Sequence, residues 1–456
     1  MKFSSPQATD TICALATPNV ISAIAVIRVS GSSSIEICNS FFSKNILESK
    51  SHTLHFGRFV NERKEVIDEV LVSVFETGKS FTGEESVEIS SHGSPFIQQE
   101  ILRVLILGGC RMANPGEFTQ RAFMNGKLDL SQAEAVADLI LAQSKQAHRI
   151  ALSQLRGGFS EKLSNLRGQL IHFASLIELE LDFAEEDVEF ADRTELKNKL
   201  NEVIQITQRL ADSFALGNAI KNGIPVAIVG EPNAGKSTLL NQLLGEDRAI
   251  VSNIAGTTRD VIEETLNIDG ILFRLIDTAG IRETQETIEA LGIERSMQKI
   301  ALSQIVLVLT DGQDKLQLEK AKKWVESLKI QYPEKTILLV QNKMDDSVSE
   351  DSETICLSAK YGKGIDVLKT KLSTIVKGDF DFENDIIVSN VRHQEALLKT
   401  IEALQKALSG MEIGIAADFL AMDIRAAMRY LGNITGEIEV DRDILGNIFQ
   451  HFCIGK

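Results

Sequence analysis

The segment Gly230-Glu231-Pro232-Asn233-Ala234-Gly235-Lys236-Ser237 constrains this chain more than any other feature. It fits the spacing G-x-x-x-x-G-K-[ST] and directly follows the short apolar run 226–229. Glycines at these places let successive backbone N–H groups wrap an anion. The lysine reaches the outer phosphate oxygens, and the serine hydroxyl suits Mg²⁺. A helix starting near Lys236 would add its positive end to the same anion. The runs 272–276, 305–309 and 337–340 are likewise short and almost continuously apolar, with helical stretches between them. That alternation predicts a buried parallel sheet in an α/β block.

Three more segments fall in order behind the loop. Asp277-Thr278-Ala279-Gly280 follows the run 272–276, so Asp277 is expected in the Mg²⁺ shell and the Gly280 N–H at the terminal phosphate. Asn342-Lys343-Met344-Asp345 follows the run 337–340, and the Asp345 carboxylate can accept both N1–H and the 2-amino group of guanine. Adenine offers no such donor pair, so the expected nucleotide is GTP. Ser358-Ala359-Lys360 would then supply backbone contacts to the guanine oxygen. Asn233, Ala234, Gly235, Lys236, Ser237 and Thr238 are the expected phosphate contacts. Gly256-Thr257-Thr258-Arg259-Asp260 is the natural switch segment between the phosphate loop and Asp277, with Thr258 a candidate second Mg²⁺ hydroxyl beside Ser237; Ser252, Asn253, Ile254, Ala255, Gly256, Thr257 and Thr258 are expected nucleotide contacts. Alone, Asn-Lys-x-Asp is more often a loop cap; four elements in this order leave a purely structural reading little room.

Many GTPases place a glutamine after Asp-x-x-Gly to orient the attacking water, and Ile281 stands there instead. Charge neutralisation in the transition state is also open; an arginine finger normally supplies it and is worth roughly 10³–10⁵ in rate. Arg259 and Arg282 are candidates by position, although most switch arginines simply pair with acids. Asn233 offers another solution. Its side-chain oxygen, with backbone carbonyls from 252–257, could hold a monovalent cation against the phosphates; equally, it could only cap the turn.

The 456 residues exceed one core, and roughly 150 per domain suggests about three. Hydrophobic residues at 43% and charged residues at 25% are the mix of soluble globular chains. A net charge of −16 argues against non-specific binding to nucleic acid or anionic membrane, though one local basic face is compatible with it. No apolar run reaches a membrane span, and Met1-Lys2-Phe3-Ser4-Ser5-Pro6 lacks the apolar stretch of a signal peptide, so a cytoplasmic location is expected. Cys13, Cys38, Cys110, Cys356 and Cys453 are scattered and odd in number, which fits free thiols and speaks against a zinc site.

Up to about Phe123 the chain is strand-rich, with 22–29 and 66–75 as clear strand signals. Between Gly116 and Pro225 there is no proline, and the apolar spacing turns helical. Ser131-Gln132-Ala133-Glu134 reads as a capping box. Leu163, Leu166, Leu170, Ala174, Ile177 and Leu181 share one helix face; Leu196, Leu200, Val203, Leu210 and Phe214 share another. After about Gly378 helices return with Ala396, Leu397, Ile401, Leu404 and Leu408. Three domains in a row and an α/β domain inserted into a helical one are both open. Packing the stripe 163–181 against 396–408 would bury two faces, which favours insertion.

The chain resembles the MnmE (TrmE) family of tRNA-modification GTPases along essentially its whole length. Beyond the nucleotide motifs, the resemblance is carried by Phe81-Thr82-Gly83-Glu84-Glu85, by Asn114-Pro115-Gly116-Glu117-Phe118-Thr119-Gln120-Arg121-Ala122-Phe123, by Asn125-Gly126-Lys127-Leu128-Asp129-Leu130, and by the terminal Phe452-Cys453-Ile454-Gly455-Lys456. Ribosome-assembly GTPases share Pro-Asn-Ala-Gly-Lys-Ser and Thr-Thr-Arg-Asp, and an RNA-binding assembly GTPase is the alternative reading. The outlying segments separate the two.

The resemblance implies a multidomain α/β plus α architecture: an α+β folate-binding domain, and a helical domain interrupted by a Ras-like P-loop G domain. The boundaries are then 1–123 for the folate-binding and dimerisation domain, 124–216 and 379–456 for the helical domain, and 217–378 for the G domain. It further implies a homodimer, and a heterotetramer with the FAD-dependent MnmG (GidA) protein. Together they would add an aminomethyl-type group, commonly carboxymethylaminomethyl, to C5 of wobble uridine 34 of tRNA. The carbon would come from 5-formyl- or 5,10-methylene-tetrahydrofolate. GTP hydrolysis would require Mg²⁺, K⁺ and pairing of G domains. By position the K⁺ ligands would be Asn233, Ser252, Ile254 and Thr257, the water-orienting residue Glu289, and the folate residues Arg28, Glu84, Lys127 and Lys456; Cys453 would be a functional thiol. Read without the family, Glu289 is solvated helix surface, Arg28 ends a strand and Cys453 is a small buried hydrophobe. Two stretches depart from the family pattern: Asn19-Val20-Ile21-Ser22-Ala23 replaces a glycine-rich loop, and Ala184 stands where proline is common.

Overall fold

The computed structural model describes residues 10–182, 193–247, 264–276, 297–344, 350–351, 354–378, 381, 385–436 and 455. The described residues form two compact units, each assembled from separated stretches: 10–137 with 154–182 and 424–436, and 138–153 with the described part of 193–423.

In the first unit a six-stranded sheet carries two helices on one face. Its strands are β1 (Ile12–Leu15), β2 (Ser22–Ser30), β3 (Thr53–Val60), β4 (Val66–Phe75), β5 (Ser86–Gly93) and β6 (Arg111–Met112), in the order β3-β4-β5-β2-β1-β6. Only β1–β6 is parallel. In β4 the residues Val70, Val72 and Val74 are buried while Glu69 and Leu71 are exposed, the period-2 pattern of a half-buried strand. The buried side packs with Ile35 and Cys38 of α1 (Ser34–Phe41) and Ile101, Val104 and Leu105 of α2 (Pro95–Leu107). Then come α3 (Glu117–Met124), α4 (Leu130–Leu141) and, beyond α5 (Lys145–Leu155), whose residues 145–153 belong to the second unit, α6 (Gly158–Asp182).

The capping box expected at Ser131 stands two residues earlier. Asp129 Oδ1 accepts the Gln132 N–H at 2.8 Å, and Gln132 Oε1 accepts the Asp129 N–H at 2.9 Å. Ser131 lies inside the helix, fully buried, within 2.9 Å of both Asp129 Oδ1 and Ser160 Oγ. The stripe Leu163, Leu166, Leu170, Ala174 and Ile177 is buried as its spacing requires. Gly436, just beyond the last described helix, meets the Phe123 ring and Leu130 at the start of α4.

The second unit contains α7 (Arg193–Asp212) and α8 (Phe214–Asn222), which divide the stripe 196–214 between two helices. Its sheet comprises β7 (Ile224–Gly230), β8 (Glu264–Ile268), β9 (Ile271–Leu275), β10 (Ile305–Asp311), β11 (Thr336–Asn342), β12 (Glu350–Asp351) and β13 (Thr354–Cys356), in the order β12-β13-β11-β10-β7-β9-β8. Its further helices include α9 (Lys236–Asp247), α10 (Lys315–Gln331), α11 (Ile365–Lys377) and α12 (Val391–Glu412), and α13 (Ala417–Thr435) begins in this unit and runs from Ile424 in the first. The four apolar runs read from the sequence are β7, β9, β10 and β11, mutually parallel and buried. The two edge pairs, outside those runs, are antiparallel. β8 joins β9 through Asp269 and Gly270, both in the left-handed region at φ 51° and 79°, as a two-residue hairpin of matching twist demands.

The α/β block is an insertion. Helix α12 lies along α7, burying Leu397, Ile401 and Leu404 on it; α7 thus fills the place expected for 163–181. The chain leaves this helical layer through α8 and returns to the same place. Ser213 Oγ accepts the Val388 N–H at 3.0 Å, Arg209 Nη2 pairs with Asp385 at 2.9 Å, and a Cβ on Gly217 would collide with the Val388 carbonyl.

Among the described residues no helix is long and apolar enough to cross a membrane.

Candidate functional site

The phosphate loop begins where β7 ends. Gly230 (φ 148°) passes so close to the Leu309 carbonyl of β10 that a side chain has no room. Asn233 then takes φ 64°, uncommon for a non-glycine residue, and Gly235 takes φ 97°. These turns aim consecutive N–H groups into one concavity at the N-terminus of α9, the arrangement that binds phosphate. Lys236 curls back across the loop, its Nζ donating to the Gly230 and Glu231 carbonyls at 2.9 and 2.8 Å. Burial, with Lys299 adding repulsion, holds its ammonium below the ordinary lysine range. A phosphate there would supply a counter-charge. Ser237 and Thr238 stand in the first turn of α9, where a hydroxyl can reach a Mg²⁺ shared with the phosphates.

The base-recognition loop is tied to the phosphate loop by one side chain. Asn342, at the end of β11 and 3% exposed, donates from Nδ2 to the Ala234 carbonyl and accepts the Ala359 N–H at Oδ1, both at 2.9 Å. Gly235 makes room for that amide. Lys343 follows at φ 65°. Ser358 and Ala359 are buried, and the Ser358 N–H donates to the Lys363 carbonyl at 2.9 Å, closing their loop. Lys360 is exposed, its Nζ 5.1 Å from the Tyr361 ring centre. Three loops distant in sequence are therefore brought together at the carboxyl ends of parallel strands, where open α/β sheets bind ligands. Ser252, Asn253, Ile254, Ala255, Gly256, Thr257, Thr258, Asp277, Thr278, Ala279, Gly280, Arg282, Glu289 and Asp345 lie outside the described residues.

In the first unit the outlying motifs converge on a second polar centre. Glu84 Oε2 accepts Ser30 Oγ at 2.8 Å, and both its oxygens lie 3.2 Å from Arg121 Nη1. Arg121, 8% exposed, also meets Asp10 at 2.7 Å and Glu117 at 3.0 Å. Arg111 binds the same two acids, at 2.8 Å to Asp10 and 2.6 Å to Glu117. Burial alone would raise the Glu117 and Asp10 carboxyls; the guanidinium groups outweigh it and hold both below their ordinary values. Lys127 packs its methylenes against Gly83 and donates to the Gly78 carbonyl at 2.6 Å.

Arg28 lies opposite Glu88 across β2–β5 and pairs with it at 2.8 Å, its guanidinium 5.4 and 5.7 Å from the rings of Phe81 and Phe118. Arg28 and Lys127 thus flank the loop 81–84 that ends in Glu84, although each of the three already has a protein partner. Val20 and Ile21, in the stretch that departs from the family pattern, are exposed. Gly455 (φ 96°) is buried against Leu15 and Ala16; Cys453 and Lys456 lie outside the described residues. The pairing of Arg121 with Glu84 was not foreseen, although Glu117 and Arg121 stand one helical turn apart in a quoted motif.

Comparison with known proteins gives the family. A family model described as the MnmE helical domain matches residues 130–453, and one described as the GTP-binding protein TrmE N-terminus matches residues 11–127. The tRNA modification GTPase MnmE of Flavobacterium psychrophilum is 52% identical over 460 residues, covering 98% of this chain and 99% of that protein. The proteins of the same name from Flavobacterium johnsoniae and Bacteroides thetaiotaomicron are each 52% identical, with the same two coverages. Matched by both models and by relatives over nearly its whole length, the chain belongs to the MnmE (TrmE) family.

Proposed function

We propose that the protein is a GTP-hydrolysing enzyme of tRNA modification. With a flavoprotein partner of the MnmG type, it would add an aminomethyl-type group to C5 of the wobble uridine. The observation that carries the nucleotide reading is Asn342, whose amide joins the phosphate loop at Ala234 to the base loop at Ala359. Only a ligand with both a phosphate chain and a base uses the two loops at once. Asp345 would select guanine, with Ser358, Ala359 and Lys360 beside it. Ser237, Thr258 and Asp277 would share the Mg²⁺ shell, while Asn233, Ser252, Ile254 and Thr257 would provide oxygens for K⁺. Mg²⁺ and K⁺ would supply positive charge at the phosphates. With Ile281 where a glutamine is common, Glu289 would orient the water and Arg282 would assist.

For the carbon source, the supporting observation is the convergence of Arg28, Glu84 and Lys127 around residues 81–84, with Gly455 placed on the same unit. A reduced folate would bring the one-carbon group; Glu84 suits an amino-pterin edge and the cations suit its anionic tail. Lys456 and the Cys453 thiol belong to the same reading, as do a homodimer, the boundaries at 123, 216 and 378, and a cytoplasmic location. The alternative, an RNA-binding ribosome-assembly GTPase, has no use for the Glu84–Arg121 centre.

The test of the catalytic reading is GTP turnover in matched KCl and NaCl, for wild type and Glu289→Ala, with nucleotide affinity measured alongside. Turnover should require K⁺ and fall strongly in Glu289→Ala while affinity stays nearly unchanged, because a water-orienting residue acts on the transition state. Equal rates in both salts would remove the cation, and a fully active variant would remove Glu289.

A further inference from the structure

The strands β10 and β11 end side by side, with Asp311 in register opposite Asn342. Beyond their ends the chain 311–313 folds over the base-recognition turn. The Gly312 N–H donates to the Asn342 carbonyl at 2.9 Å, and Gln313 Nε2 donates to the Lys343 carbonyl at 2.8 Å. Gly312 fits because it lacks a side chain; a Cβ would stand 2.6 Å from Met344 Sδ and 3.1 Å from the Asn342 carbonyl. The Asp311 carboxylate completes the clamp. Its Oδ2 accepts Lys343 Nζ at 2.7 Å, and its Oδ1 accepts the Gln313 N–H at 3.0 Å, which fixes the group's direction. The clamp is itself anchored: Asp314 caps α10, accepting the Leu316 and Gln317 N–H groups at 2.9 and 3.2 Å.

Lys343 needs such a hold. A lysine at φ 65° is strained, and strained backbone persists where its surroundings over-determine it. Asn342 is the residue immediately before it, and its amide spans the phosphate and base loops. Lys343, once released, would relax toward ordinary backbone angles and turn that amide away from Ala234 and Ala359.

We infer that Asp311 is a positioning residue for guanine-nucleotide binding: it fixes the Lys343 side chain and, through it, the turn that carries Asn342. This rests on the guanine-nucleotide reading of the site. The role differs from that of a merely structural acid, because the whole effect runs through one ammonium group. Paired with Asp311, that ammonium also presents no net charge to the base.

The test is a double-mutant cycle on GDP affinity, measured by calorimetry on the full chain with Asp311→Asn, Lys343→Gln and both together. Each single change is expected to weaken GDP about tenfold, the order of a lost charge-assisted hydrogen bond. The double variant is expected to be no weaker than Lys343→Gln alone, since residues acting through one contact are non-additive. Because the freed Asn342 amide would leave its buried partners unpaired, the melting temperature of the nucleotide-free protein should fall by the same amount in Asp311→Asn and in Lys343→Gln. Losses that multiply in the double variant would overturn the inference, as would wild-type affinity in Asp311→Asn. A nucleotide-free melting temperature lowered by Asp311→Asn but not by Lys343→Gln would show that Asp311 acts otherwise than through that ammonium, and would also overturn it. Wild-type protein that binds no GDP would remove the nucleotide reading together with the inference.

Discussion

Arg121 carries more of the first unit's organisation than any other described side chain. It is almost buried, and its guanidinium is shared by Asp10, Glu84 and Glu117. Removing one partner from a buried ionic group leaves uncompensated charges, which costs about 3–5 kcal/mol. Arg121→Leu should therefore lower the stability of the first unit by roughly that much, read from denaturant midpoints. The same cluster sets an acid limit. Glu117 and Asp10 have folded-state pKa values below their unfolded ones, so their contribution is present above the ordinary carboxylate range, near pH 4. It is lost as pH falls through the depressed values. Unfolding midpoints followed downward from pH 7 should hold and then drop below about pH 4; a drop already complete above it would contradict the assignment.

Glu84 offers its remaining acceptor capacity to a ligand, so calorimetry of the full chain should detect a reduced folate, and Glu84→Ala should abolish the signal. No heat with wild type would remove the folate reading. In the second unit, Gly235→Ala would set a methyl on the Asn342 amide at a backbone angle that disfavours side chains. A loss of at least about tenfold in GTP affinity is expected, and wild-type affinity would contradict the geometry. Gly235 was legible because the loop needs glycine for its own backbone, whereas Arg121 was not. Its partners Asp10 and Glu84 are far away in sequence, and only the fold brings the three together.

Among elements, the β8–β9 hairpin lies between the two stretches that sequence assigns to nucleotide sensing, 252–258 and 277–280. Its turn does not end in solvent. The Gly270 carbonyl accepts the Gln146 N–H at 3.1 Å, one of the donors that the first turn of α5 leaves unpaired, while Ser144 Oγ accepts the Ala147 N–H. Asp269 reaches Ser373 of α11 at 2.7 Å. The α/β block is thus fastened to α5 at this hairpin. Gly270→Val would impose φ 79° on a β-branched residue and crowd Lys145 Cβ at 3.1 Å. It should destabilise this unit by about 1–2 kcal/mol in thermal unfolding; an unchanged midpoint would show that the fastening does not hold.

Elements buried on both faces, β7 and β10, announce themselves as unbroken apolar runs. β8 does not, since its alternation over Glu264, Leu266 and Ile268 buries a glutamate and resembles solvated sequence. The α4 cap shows a similar limit. Both Asp129 and Ser131 begin a capping pattern, and only tertiary burial of Ser131 decides between them.

At the scale of the molecule, the helical layer is continuous in space and broken in sequence. Ser213 and Gly217 before the α/β block meet Val388 after it. Periodicity marked the helices on both sides but could not pair them, because several faces are apolar; α12 chose α7. The net charge of −16 gives no general attraction for phosphate backbones. The most direct measurement is mass analysis of wobble uridine in tRNA from cells lacking this chain, with and without a restored copy. Uridine 34 lacking its C5 substituent, and regaining it on restoration, is the expected result. Intact modification accompanied by stalled ribosomal precursors would contradict it and favour an assembly factor.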